Sequence, residues 1–114
     1  MRKLVVDLEA ILKKQIQAGT YSVRPHAVQH ALAEGFSPKH IAEAIQNGRV
    51  IESYSDRNRC LVCGRARLTA RVNIDLHVVC DYGDHDMLDI VTAYVPDSEV
   101  WETPPTKRRR GCQR

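Results

Sequence analysis

Apolar residues recur at three- and four-residue steps along the first half of the chain and alternate along the second. Leu4, Val5, Leu8, Ile11, Leu12 and Ile16 make one stripe, with Lys13, Lys14 and Gln15 largely off it. That period predicts an amphipathic helix of about four turns ending at Gly19. Tyr21-Ser22-Val23 leads into Pro25, a residue suited to a first helical turn because its missing N–H would be unpaired there. Val28, Ala31 and Leu32 are the expected buried stripe of this second helix, and Gly35 its left-handed cap. Ser37-Pro38 starts a third helix, with Ile41, Ala44 and Ile45 inward and Asn47-Gly48 at its end.

From Arg49 the period changes to two. Strands are predicted at Arg49–Tyr54, Arg59–Arg65, Asn73–Tyr82 and Leu88–Val95. Ser55–Asn58 and Gly83–Asp86 are their turns, and Pro96 stops the last. In the third strand Ile74, Leu76, Val78, Cys80 and Tyr82 share one face, and Asn73, Asp75, His77 and Asp81 the other. Trp101 anchors the segment leaving the sheet. Helices followed by four closely connected strands give an α+β domain: three N-terminal helices on a four-stranded antiparallel meander. The sheet's second face is then left to water or a ligand.

Length and composition narrow this picture little. The 114 residues suit one domain, 43% of them hydrophobic and 27% charged, close to an average globular protein. Residues 1–105 are the expected domain, with 1–19 as the leading helix. No apolar run is long enough for a membrane span, and charges scattered through the first 20 residues argue against a signal peptide. The expectation is a cytoplasmic protein with reduced thiols. Charge is more telling. Residues 106–114 carry Lys107, Arg108, Arg109, Arg110 and Arg114 and no acid. The rest of the chain holds 12 basic against 14 acidic side chains. A field suited to RNA therefore belongs to the tail, read as a disordered arm with Lys107, Arg108, Arg109 and Arg110 as phosphate ligands. A solvated tail without a task is the plainer reading.

Three groupings carry candidate chemistry. His26 and His30 lie about 40° apart on the second helix, both off its apolar stripe. They suit acid–base work, a metal, or nothing beyond solvation. Cys60 and Cys63 have the spacing of half a zinc ribbon, but on one strand their thiols point to opposite faces. A second pair at suitable spacing is missing, so no metal or other cofactor is expected. Finally, His77, Arg65, Thr92 and Tyr94 can converge on the exposed sheet face. An imidazole, a guanidinium and a phenol there suit RNA transesterification: a base for the 2′-OH, an acid for the 5′-oxygen, a cation for the phosphorane. The plainer alternative is a polar outer face with Tyr94 in the core.

Several strings resemble a small bacterial family catalogued as domain of unknown function 4258. They are Tyr21–Ala27, Glu34–Ser37, Gly48–Tyr54, Arg59–Arg65, Leu76–Val79 and Ile90–Pro96, over about residues 20–101. The shared pattern is a histidine opening a helix, a GxxIE-Y strand, and a TxYxP strand followed by tryptophan, here Trp101. The resemblance implies a RelE/MqsR-like fold of the barnase–EndoU–colicin–RelE group. It also implies a toxin-type ribonuclease paired with a small DNA-binding antitoxin. On this reading His26, Thr92 and Tyr94 carry over from the family's motifs, with His77 and Arg65 in matching segments. The acidic body and Glu34 before Gly35 depart from many relatives. A non-catalytic nucleic-acid- or protein-binding module on the same fold is the alternative, and a thiol or zinc protein using Cys60 and Cys63 a third.

Overall fold

The structure is a computed structural model that describes residues 7–110. Leu4, Val5, Cys112 and Arg114 lie outside the described residues. The first helix, α1 (Leu8–Ala18), begins where the Asp7 carboxylate accepts from the Ala10 N–H at 3.2 Å. Gly19 ends it at φ 76°, a left-handed turn that costs glycine little. β1 (Tyr21–Val23) follows, then α2 (Pro25–Glu34) and α3 (Pro38–Asn47). Gly35 caps α2 at φ 89°. Both helices open on the expected prolines. The strands are β2 (Arg49–Tyr54), β3 (Arg59–Arg67), β4 (Asn73–Asp81) and β5 (Leu88–Tyr94).

The α+β architecture stands, and the meander β2-β3-β4-β5 is antiparallel throughout. The sheet has a fifth strand. Tyr21–Val23 pairs in parallel with Leu88–Ile90, giving the order β1-β5-β4-β3-β2. Three residues between a glycine stop and a proline start are too short to show a period of their own. They are strand because the β5 edge offers them partners.

The core lies between the helices and one sheet face. Leu12, Ile41 and Ile45 pack on Cys60, Val62, Leu76, Val78, Cys80, Leu88 and Ile90. Gly64 lets α3 approach β3 closely, since a Cβ there would land on the Ala44 backbone. The buried face of α2 is rotated from the expected one. Ala27 and Ala31 are fully buried, while Leu32 is 65% exposed. Two alanines admit β5 more closely than a leucine would, which turns the histidine side of the helix toward the strand. Among the described residues no helix is long and apolar enough to cross a membrane.

Candidate functional site

Two β-bulges decide what reaches the sheet face away from the helices. Cys80 pairs with Ile90 and Val79 with Thr92, so Val91 is an extra residue that reverses the strand's parity. Leu88 and Ile90 therefore point into the core, and Thr92 and Tyr94 onto the outer face. A second bulge at Ile51 does the same for β2. Val50 pairs with the core residue Val62, but Glu52 pairs with Leu61 on the outer side.

Cross-strand register then builds the outer face in rows. Arg49, Cys63, His77 and Tyr94 form one, and Glu52, Leu61, Val79 and Thr92 the next. Arg65 and Asp75 pair beyond them through a 3.2 Å salt bridge. At the other end Arg59 binds Asp81 at 3.1 Å and Arg24 binds Asp89 at 2.7 Å. The Gly83 N–H and Arg59 hold the Asp81 carboxyl below its ordinary range.

Alternation along the strands predicts an open face here, but its centre is covered. Residues 97–110 fold back across it as a strap. Trp101 is 3% exposed and meets the His77 ring edge-on at 4.4 Å between centroids. His77 is fully buried. Its Nε2–H donates to the Pro105 carbonyl at 2.7 Å, which leaves Nδ1 to accept from the Tyr94 hydroxyl at 3.4 Å. Burial, set against that bond and the charge of Glu52, keeps the imidazole pKa below its ordinary 6.5.

The strap's other tie is ionic. Arg108 donates to both Glu52 oxygens, at 2.8 and 3.0 Å, while its guanidinium lies 4.6 Å from the centre of the Trp101 ring. The Tyr54 hydroxyl donates to Glu52 as well. Burial works against the Glu52 carboxylate, but these bonds prevail and hold its pKa below the ordinary 4.5. Burial and the same carboxylate push the Tyr54 phenol up to about 12. Beside the strap lies a cleft of about 190 Å³ lined by Ile74, Asp75, Val95, Ser98, Trp101 and Pro105.

Of the residues singled out by sequence, His77, Tyr94, Thr92 and Arg65 share this face. His26 does not join them. It is exposed on α2, where its ring stacks on His30 at 6.2 Å. His30 has structural employment: its Nδ1–H donates to the Ala93 carbonyl at 2.8 Å, and Glu34 accepts from the Val95 N–H at 2.7 Å. β1 ends opposite Ile90, so these two side chains cover the edge of β5 beyond it. Of the basic run, Arg108 is bound to Glu52 and Arg109 donates to the Ser98 carbonyl, while the Lys107 and Arg110 side chains are exposed. Cys60 faces the core beside Cys80, and Cys63 faces outward in the row of His77. The Cys60 thiol and burial raise the Cys80 pKa, and burial raises that of Cys63, so both sulfurs are poor nucleophiles.

Glu52, Tyr54, Pro105 and the role of Arg108 escape a reading by sequence. The first two lie within a string that resembles the family pattern, yet strict alternation gives Glu52 the side of Val50, the core.

The family described as Domain of unknown function (DUF4258) matches residues 23–95. The chain belongs to this family. DUF4258 thus spans α2 through β5, the part that carries Glu52, Tyr54, His77 and Tyr94, and ends before the strap. No curated protein and no solved structure matches the chain.

Proposed function

We propose that this DUF4258 protein is a metal-independent endoribonuclease of the RelE/MqsR-like toxin type, held in the cell by a small antitoxin, and that its outer sheet face is the catalytic surface. One observation carries the reading: a carboxylate, an imidazole and two phenols gather on that face, with the Arg49 guanidinium in the row of His77 and that of Arg65 in the next. Glu52 takes the 2′-OH proton, a role for which His26 is on the wrong element. The 2′-oxygen attacks phosphorus, the P–O5′ bond breaks, and a protonated His77 gives its proton to the departing 5′-oxygen. Arg65 and Arg49 stabilise the phosphorane, while Tyr94 and Thr92 orient the phosphate. The products are a 2′,3′-cyclic phosphate and a 5′-hydroxyl.

The pKa directions set the pH profile. The base must be ionised and Glu52 lies below 4.5; the acid must be protonated and His77 lies below 6.5. The bell therefore peaks on the acid side of 6.5. Single-turnover cleavage of a mixed-sequence RNA should show this profile, survive EDTA, and slow by about a hundredfold or more in Glu52→Gln and His77→Gln. Unchanged rates in both variants would remove the mechanism. A wild type that binds RNA without cleaving it would establish the binding module instead, a reading favoured by the complete enclosure of His77.

A further inference from the structure

The strap touches the groups that a substrate would need. Glu52 is occupied by Arg108, His77 donates to a carbonyl oxygen, and an aromatic ring lies against the imidazole. The last two have counterparts in a nucleotide. The Pro105 carbonyl accepts the imidazole N–H as an ester oxygen would, and the Trp101 indole, a bicyclic ring like a purine, lies against the imidazole. We propose that residues 97–110 are an internal occupant of the site, latched by Arg108 on Glu52, and that single-stranded RNA enters by displacing them. The proposal rests on the nuclease reading for the meaning of the site, but displacement has its own readout.

The strap is built to leave. Beyond one isolated bridge between Trp101 and Arg108 it has no sheet or helix of its own. Glu102, Thr103, Pro104, Lys107, Arg109 and Arg110 are exposed around the buried Trp101 and Pro105. Among the described contacts, its hold on the sheet includes one indole, one carbonyl and one ion pair. Exposed cations on the same segment attract phosphate, so the ligand is drawn first to the element that must move. Displacement also frees the carboxylate from Arg108 and lets water reach His77.

Trp101 is the chain's single tryptophan, so its fluorescence reports the strap without a label. The probe is an oligodeoxythymidine of about twelve nucleotides, long enough for a single-strand groove and without the 2′-OH needed for cleavage. With the full-length wild-type protein, saturating oligonucleotide should shift Trp101 emission to the red and increase acrylamide quenching. Arg108→Ala removes the latch. A site open one time in ten binds about tenfold more weakly than one always open, so this variant should bind the oligonucleotide about tenfold tighter. It should also cleave RNA faster at subsaturating concentrations.

Binding that leaves the wild-type emission and quenching unchanged would overturn the proposal, as would failure of the wild type to bind. Neither outcome depends on the variant folding. Displacement of Trp101 with no cleavage by either protein would sustain the strap proposal and remove the nuclease reading. Cleavage with a static Trp101 would do the reverse.

Discussion

His77 shows how a residue's setting changes what a substitution does. On an open sheet face alanine would cost little. Fully buried against Trp101 and Tyr94, it leaves a gap and strands the Pro105 carbonyl. His77→Ala should therefore lose about 2–3 kcal/mol, read by urea denaturation. The same enclosure makes stability pH-dependent. The native pKa lies below 6.5, so the unfolded chain takes up the proton first as pH falls. The contribution of the neutral imidazole is whole above 6.5 and is lost from there down toward the native value. Glu52 adds a second loss, beginning nearer 4.5 and continuing as pH falls through its lowered native value. Melting temperature measured from pH 7.5 to 5 should fall in wild type and stay flatter in His77→Gln. Equal slopes would show that His77 does not titrate differently in the two states.

At the scale of elements, the edge of β5 separates two histidines that spacing alone treats as a pair. His30→Ala removes the donor on the Ala93 carbonyl and should cost about 1 kcal/mol. His26→Ala should stay within about 0.5 kcal/mol. Paired thermal melts decide between this division and a shared role, which would give two similar losses. Sequence periodicity reveals the three helices, their glycine and proline boundaries and the four strands of the meander, because each has a buried face that repeats. It cannot reveal β1, whose existence depends on a distant edge. Nor can it reveal the extra residues at Ile51 and Val91. A bulge leaves composition unchanged and reverses everything after it, so alternation allows Tyr94 two faces and gives Glu52 the wrong one. His77 and Arg65 are legible as outward residues, and Thr92 and Tyr94 as a pair whose face the Val91 bulge decides; the cover is not legible, because a segment without period gives no sign of where it packs.

For the whole molecule, charge is distributed differently from its sequence average. The basic run contributes one cation to an internal ion pair and presents Lys107 and Arg110 to solvent. These exposed side chains should govern the salt dependence of RNA binding. Replacing both with alanine should flatten the log Kd versus log salt slope by about 0.7 for each phosphate that is no longer neutralised. Filter binding across a salt series measures it, and an unchanged slope would put the phosphate-binding groups on the sheet.

The parallel pairing of β1 with β5 has a consequence for synthesis. Tyr21 leaves the ribosome long before its partner Leu88 is made. Until then α2 has no β5 beneath Ala27 and Ala31, and the histidine and glutamate that guard the strand's edge have no strand to guard. The nascent helices must wait, and the four-stranded meander can assemble before its N-terminal neighbour docks. The three-residue strand that sequence periodicity passes over is thus the closing stitch that joins the beginning of the chain to its last strand.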